Sequence, residues 1–153
     1  MFETVKLTGF KEFQDFLQKL PGKVAEKVVA QAAFAGAKVI RDDAKQRAPL
    51  GTVPHYSSER NRRKGYLLQP GNLRKEIRAR KAKRGKWGEV IYKVGMTGRA
   101  FYGLFFEFGT KKMGKRPWLR PAFDNNMSQA IEAQRKAFQR GIEREAKKLG
   151  WRT

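Results

Sequence analysis

The chain has 153 residues, of which 40% are hydrophobic and 12% aromatic, and this is enough apolar material for one folded domain of ordinary size. Lys and Arg number 35 against 14 Asp and Glu, so the net charge of +21 points to a polyanionic partner, above all nucleic acid. The lack of cysteine excludes disulfides and thiolate metal sites, and the sequence leads us to expect neither a membrane span nor a secretion signal.

The chain opens with short apolar and then amphipathic patterns. Phe2, Val5 and Leu7 are compatible with an edge strand. Apolar residues then recur at spacings of three and four, which predicts one face of a helix ending at Pro21. These residues are Phe10, Phe13, Leu17 and Leu20.

A second, longer helix is predicted from a narrow, alanine-rich stripe that ends at Pro49, because the residue before a proline is driven out of the helical region. The stripe consists of Val24, Val28, Ala32, Ala35 and Val39. Residues 50–71 follow with Gly, Pro, Ser and positive charge but no periodicity. They predict a basic loop insertion of about 20 residues, a length that is usually functional or disordered.

Three strands are predicted next, over residues 73–81, 89–94 and 101–108, with glycine-containing turns at 85–88 and 95–98. A final helix begins near Ala122. Its predicted inner face comprises Phe123, Met127, Ala130, Gln134, Phe138, Ile142, Ala146 and Leu149.

These elements predict an α+β fold in a single domain over residues 1–153. An antiparallel sheet of three to four strands would be covered by two N-terminal helices and one long C-terminal helix. The sequence shows no internal repeat and no second domain.

Catalytic chemistry has little support in this sequence. The single histidine, His55, lies in the long loop and is interpreted as a solvated side chain, because active sites need several convergent groups. Asp42 and Asp43 are adjacent on a helix, so they point about 100° apart and are better explained by salt bridges than by a metal ion. We therefore expect no enzyme activity, no cofactor and no metal.

Positive charge is concentrated between Arg60 and Lys86, where twelve Lys or Arg accompany a single acid, Glu76. A charge run is often only a solvated face, but the lack of balancing acids favours sequence-independent contact with phosphates. No base-reading motif accompanies it. The candidate DNA-contacting residues are Arg60, Arg62, Arg63, Lys64, Arg74, Arg78, Arg80, Lys83 and Arg84.

Residues 101–108 are unusually aromatic and are interpreted as a core strand rather than a base-stacking platform. Glu107 is the exception among these aromatic side chains. Because a carboxylate is costly to bury without a partner, we expect a buried or half-buried ion pair between Glu107 and Arg116 or Arg120.

Four sequence features occur in a fixed order along the chain. They are a predicted helix that ends at Ala48 and Pro49, the sequence GNLR at 71–74, FEFGT at 106–110 and RPWLRPAF at 116–123. Together they resemble the small neck or tail-completion (head-tail joining) proteins of long-tailed bacteriophages and prophages, over residues 9–123. The stretch between Pro49 and Gly71 is longer than in those proteins. The residues that carry the motif are Pro49, Gly71, Leu73, Glu107, Gly109, Thr110, Arg116, Pro117, Arg120 and Pro121.

This resemblance implies a structural virion protein that completes the tail and joins it to the head connector, made in the host cytoplasm and located at the neck of the particle. The implied partners are its own subunits in a ring, the connector or stopper, and the tail terminator or tail tube. Combined with the charge, it predicts nonspecific contact with double-stranded DNA. The alternative is a basic ribosome- or nucleoid-associated protein, whereas a nuclease is disfavoured because an acidic metal cluster is missing.

Overall fold

The computed structural model describes residues 22–51, 54, 56, 59–65, 67–82 and 89–148. The predicted strand at residues 2–7 and the predicted helix at residues 10–20 lie outside these ranges. The elements in chain order are α1 (Gly22–Arg47), α2 (Glu59–Arg63), α3 (Asn72–Glu76), β1 (Ile77–Lys81), β2 (Tyr92–Met96), a 3-10 turn (Gly98–Ala100), α4 (Gly103–Phe108) and α5 (Leu119–Lys148).

The two long helices, α1 and α5, pack against each other in antiparallel orientation. Val28 faces Gly141, and near the other end of the pair Asn126 donates a hydrogen bond to Asp43 over 2.7 Å. Most of the contacting side chains are small, which lets the two backbones approach closely. The buried residues of α1 are Val28, Ala32, Gly36, Ala37, Ile40 and Ala44, and those of α5 are Ala122, Ala130, Gly141 and Ala146.

The C-terminal helix therefore buries only part of the face that was predicted, namely Ala130 and Ala146 with Ile142 half-buried. Phe123 and Met127 are 46% and 41% exposed, whereas Ala122 and Ala130 are buried. The reason is that α1 offers its own alanine and glycine stripe, and two such stripes pack more closely than a stripe containing phenylalanine allows. The helix also begins at Leu119, three residues before the predicted start.

The sheet within the described residues has two strands, not three to four. β1 and β2 pair antiparallel, with Ile77 opposite Met96 and Ala79 opposite Val94 on the inner face. The predicted strand at 73–81 is divided, because its first part forms α3, and the predicted strand at 89–94 begins later, at Tyr92. The inner face rests on α1, where the rings of Phe34 and Tyr92 are 5.5 Å apart.

The predicted strand at 101–108 is wrong, because this segment forms the helix α4. A short continuous apolar run does not distinguish a buried strand from a helix by periodicity alone. Tyr102 and Phe106, four residues apart, pack against the core, whereas Phe105 and Phe108 are 45% and 64% exposed. This spacing is helical, and it separates Phe106 from Phe108, which a strand would have placed on one face.

The main hydrophobic cluster lies where the C-terminal end of α1 meets α3, β1 and the start of α5. Its buried members are Ala44, Ala48, Leu73, Ile77, Ala100, Trp118 and Ala122. The region predicted as a loop, residues 50–71, contains the short helix α2. None of the helices within the described ranges combines the length and the apolar character that a membrane crossing requires.

Candidate functional site

The motif residues Glu107, Arg116, Arg120 and Pro121 meet at one structural junction, at the start of α5. The short helix α4 directs the Glu107 carboxylate at this helix end, where it accepts hydrogen bonds from the backbone N–H groups of Trp118, Leu119 and Arg120 at 2.8, 2.9 and 2.9 Å. The next residue, Pro121, has no N–H to satisfy. The amides that a helix start leaves without partners are thus supplied by one carboxylate from a different element.

This arrangement corrects the expected ion pair of Glu107. The carboxylate is half-buried, as predicted, but its hydrogen-bond partners are backbone amides rather than the guanidinium of Arg116 or Arg120. Burial alone would raise its pKa, but the three backbone hydrogen bonds, with the charge of Arg120, hold the pKa of Glu107 below its usual value. The positive end of the helix dipole favours the same ionised form.

Two further bonds fix α4 to the same junction. The indole Nε1 of the fully buried Trp118 donates to the carbonyl of Gly103 over 3.1 Å, and the backbone N–H of Arg116 donates to the carbonyl of Phe106 over 2.8 Å. Gly109, directly after α4, has a φ of 77°, which favours glycine. The residues of the FEFGT and RPWLRP motifs therefore form a clamp between α4 and α5, which we call the Glu107 clamp.

The side chain of Arg74 caps the C-terminal end of the other long helix, α1. Its Nε and Nη2 donate to the carbonyls of Ala48 and Gln46, both over 3.0 Å, at the C-terminal end of α1 where carbonyls lack helical partners. Leu73 is buried beside it, Gly71 adopts a φ of 78° at the start of α3, and Pro49 follows the buried Ala48. Arg74 thus has a structural role that the sequence reasoning missed, and it is left out of the DNA-contacting set proposed below.

The other candidate DNA contacts fall into two groups. Four lie on or next to α2, where Arg62 forms two hydrogen bonds of 2.9 Å with Glu59 and Arg63 lies 3.7 Å from the same carboxylate. Arg60 and Lys64 are exposed on the same short helix and the turn that follows it.

The second group lies on the outer face of the two-stranded sheet. Arg78 and Arg80 alternate with the inward-facing Ile77 and Ala79, and Arg80 lies directly opposite Lys93 of β2. Like charges placed directly opposite each other destabilise a strand pair, so this face favours an anion between them. Arg78 lies 3.6 Å from Glu76, which offsets part of its charge. We call Arg78, Arg80 and Lys93 the basic ribbon; Lys83 and Arg84 lie outside the described residues.

An apolar groove of about 740 Å³ runs alongside the Glu107 clamp. Its walls come from α1, β2, α4 and the first turns of α5, including Ile40, Val94 and Leu119. Four of its large apolar side chains are 41 to 64% exposed, namely Ile91, Leu104, Phe108 and Phe123. The sequence analysis did not predict this groove; the signal available was the aromatic segment at 101–108, whose Leu104 and Phe108 remain exposed in the groove wall.

The part of the chain that the structure describes contains no group of three or more His, Cys, Asp or Glu positioned to hold a metal ion. His55 lies outside the described residues. Asp42 and Asp43 are engaged by Arg41 and Arg47 at 2.6 and 2.5 Å, as salt bridges rather than as a metal site.

Comparison with known proteins gives one match. A family model described as "Bacteriophage HK97-gp10, putative tail-component" matches residues 11–109, about two-thirds of the chain. The matched region includes α1, both strands and the Glu107 side of the clamp, and it ends at Gly109. No curated protein and no solved structure matches the chain significantly.

Proposed function

Because the chain belongs to the HK97-gp10-like family of bacteriophage tail components, we propose that it completes the tail at the neck of the particle and joins it to the head connector. The family membership confirms the resemblance seen in the sequence and makes the chain a structural component of the virion. It favours this role over that of a ribosome- or nucleoid-associated protein. The family description gives a tail component, and we propose in addition that the chain is located at the neck.

The proposed working form is a ring of identical subunits around the DNA path. Phe123, Met127 and Ile131 form an apolar strip along α5, spaced by four residues and 46, 41 and 58% exposed. Exposed apolar strips of this kind mark protein–protein contacts. A contact between two different surfaces of one protein generates a closed ring when the rotation between neighbours is right.

The observation that supports DNA contact most directly is the basic ribbon. Arg80 and Lys93 are held opposite each other on a solvent-facing strand pair, and no sequence-reading motif accompanies them. Phosphates of a passing duplex would relieve their repulsion regardless of base sequence. The α2 residues Arg60, Arg62, Arg63 and Lys64 provide a second group of cations for the same role.

The test is the affinity of the purified protein for a random-sequence DNA duplex, measured by fluorescence anisotropy across a salt series. We expect binding without sequence preference. Replacing Arg78, Arg80 and Lys93 by Ser should reduce the slope of log K against log salt by up to about 3, roughly one for each phosphate that is no longer neutralised.

The matched control removes the same number of charges from the exposed face of α5, at Arg135, Arg140 and Lys147. If the control weakens binding as much as the ribbon variant does, net charge alone drives the interaction and the proposed site is wrong. An affinity that does not change with salt would contradict phosphate contact altogether.

A further inference from the structure

We propose that the apolar groove of one subunit receives Met127 and Ile131, two side chains of the apolar strip of α5, from the next copy of the chain. This inference rests on the proposed ring of identical subunits, and it names the two surfaces that such a ring brings together. The contact is heterologous, because each subunit offers its groove to one neighbour and its strip to another.

The groove has apolar walls that the fold of its own subunit leaves open. Leu104 and Phe108 on α4 are 46 and 64% exposed, and Ile91 ahead of β2 is 41% exposed. Removing apolar surface from water is favourable, so these walls gain free energy from an apolar occupant. The volume of about 740 Å³ lies in the range of cavities that hold whole ligands, and it therefore has room for two large side chains.

Met127 and Ile131 are held outside the groove of their own subunit. They lie about one turn apart on α5, they are 41 and 58% exposed, and neither belongs to the groove wall, whereas Phe123 does. Because α5 is a continuous helix packed along α1, it does not bend back to insert these two side chains into its own groove. A second copy of the chain brings the same two side chains on a free helix face.

The border of the groove is basic. Residues 109–120 contain five Lys or Arg and no acid, and Arg120 forms part of the groove wall. The segment lies against α4, since the backbone N–H of Arg116 donates to the carbonyl of Phe106 over 2.8 Å. The exposed bases are Lys111, Lys112, Lys115, Arg116 and Arg120. A surface that docks beside them is favoured if it carries acid rather than further base.

The segment that carries the strip meets this requirement. Residues 121–134 contain two acids and no base, within a chain whose net charge is +21. Asp124 lines the groove of its own subunit, whereas Glu132 lies outside it, directly after Ile131, and is exposed. The contact of Glu132 with Lys136, at 3.5 Å, is a surface pair of the kind that contributes little. Opposite charges therefore favour strip against groove over the base-against-base contacts that two copies would otherwise make.

Cross-linking tests the pairing of the two surfaces in the full chain, which has no cysteine of its own. A subunit with Leu104→Cys is mixed with a subunit with Ile131→Cys, and a short bismaleimide is added. We expect a cross-linked heterodimer. The control replaces the groove position by Val29→Cys, which lies on α1 outside the groove wall with a similar exposure of 41%. Its mixture with Ile131→Cys should give far less product, and equal yields from the two mixtures would overturn the proposal.

Two complementary variants test that one strip meets one groove. Leu104→Arg obstructs the groove and keeps the strip, whereas Met127→Ser with Ile131→Ser removes the strip and keeps the groove. By analytical ultracentrifugation, each variant alone should self-associate at least about 10-fold more weakly than the unchanged chain. An equal mixture of the two should form a dimer and nothing larger, because it contains one intact strip and one intact groove. The matched control, Asn125→Ser with Gln129→Ser at exposed positions of the same helix, should associate like the unchanged chain.

The remaining outcomes separate this docking from the ring on which it rests. Assemblies larger than a dimer that form without a cross-link between positions 104 and 131 would overturn the docking and leave the ring standing. An unchanged chain that stops at a dimer would show a reciprocal contact about a twofold axis, and a chain that stays monomeric at every concentration would show no self-contact. Both of these results would contradict the docking and the ring together. The role at the neck is tested separately, by deletion of the chain from a phage.

Discussion

The side chain of Glu107 connects the short helix α4 to the start of the long helix α5. It accepts three backbone hydrogen bonds at the start of the longest helix, and it comes from a segment eleven residues earlier in the chain. Ordinary helix caps come from the helix's own sequence. By capping α5 from α4, Glu107 makes the formation of the helix start depend on tertiary structure, so the two elements should unfold together.

The first prediction concerns removal of this carboxylate. Glu107→Ala leaves three amides without an acceptor and should lower the free energy of unfolding by about 2 kcal/mol, at the upper end of the range measured when helix caps are removed. Glu107→Gln keeps one carbonyl oxygen and should be less destabilising. The measurement is chemical denaturation with Glu132→Ala, an exposed position on α5, as the control; equal stability of Glu107→Ala and the control would contradict the capping role.

The second prediction is a pH dependence that follows from the lowered pKa of Glu107. A carboxyl whose folded pKa lies below its unfolded pKa stabilises the protein above the unfolded value, and that stability is lost as the pH falls through the folded value. The stability difference between the unchanged chain and Glu107→Gln should therefore be full at neutral pH and shrink below about pH 4, where the unfolded carboxyl takes up its proton. A difference that stays constant down to low pH would rule out this linkage.

At the scale of elements, the pairing of α1 with α5 depends on two glycines placed against different neighbours. A Cβ at Gly141 would lie 2.6 Å from Cγ1 of the buried Val28, whereas a Cβ at Gly36 would lie 2.5, 2.6 and 2.8 Å from Nε2, Cγ and Cδ of the exposed Gln134, so that this whole side chain would have to change rotamer. A branched core side chain cannot move aside, but a flexible surface side chain can.

The third prediction compares these two sites. Gly141→Ala should lower the free energy of unfolding by about 1 to 2 kcal/mol, because overpacking outweighs the gain in helix propensity of about 1 kcal/mol. Gly36→Ala should be about neutral, within roughly 0.5 kcal/mol, or slightly stabilising, since Gln134 can turn away. Thermal denaturation of both variants provides the comparison, and a Gly36→Ala destabilisation as large as that of Gly141→Ala would contradict this account of the helix pairing.

The fourth prediction concerns α2 and its turn. Replacing Arg60, Arg62, Arg63 and Lys64 by Ser should leave the melting temperature nearly unchanged, because the pairs that Arg62 and Arg63 form with Glu59 are exposed and such pairs contribute about 0 to 1 kcal/mol. The same variant should give fewer DNA-filled, tailed particles. A marked drop in melting temperature would make the segment part of the core, and unchanged particle yield would make its charge a solvated surface.

The elements that the sequence predicted correctly are those with a long and uninterrupted period. The long helix ending before Pro49 and the C-terminal helix follow from such patterns, whereas the two shorter strands were predicted only in part, because α3 takes the first residues of one and the other begins at Tyr92. Segment 101–108 was assigned to the wrong structure because its apolar residues are nearly continuous. Its helical form depends on tertiary contacts, above all the close packing of Gly103 against Met96 and Leu73, which no local pattern contains.

In the candidate site, too, the sequence indicated the residue that matters but not the contacts that depend on tertiary structure. The sequence identified Glu107 as the side chain that needs a partner, but it suggested a guanidinium because arginines are visible in a sequence, whereas free amides at a helix start are visible only once the helix is placed. Arg74 was grouped with the DNA contacts for its charge, and its bonds to Ala48 and Gln46 depend on a turn of the chain that charge counting does not show.

At the scale of the whole molecule, the chain combines a rigid frame with surfaces that remain open. The Glu107 clamp and the small-residue helix pair hold the frame together, and the basic ribbon and the apolar strip of α5 face outward from it. The proposed assembly, in which identical copies surround DNA, would cover the charge and the apolar strip.

The most direct test of the proposed function is electron microscopy of particles produced by a phage from which this chain has been deleted, with the intact chain supplied from a plasmid as the control. Our account predicts DNA-filled heads and separate tails in the deletion, joined particles on complementation, and antibody against the chain bound at the head–tail junction. Joined particles at normal yield without the chain, or antibody bound only at the distal end of the tail, would contradict a role at the neck.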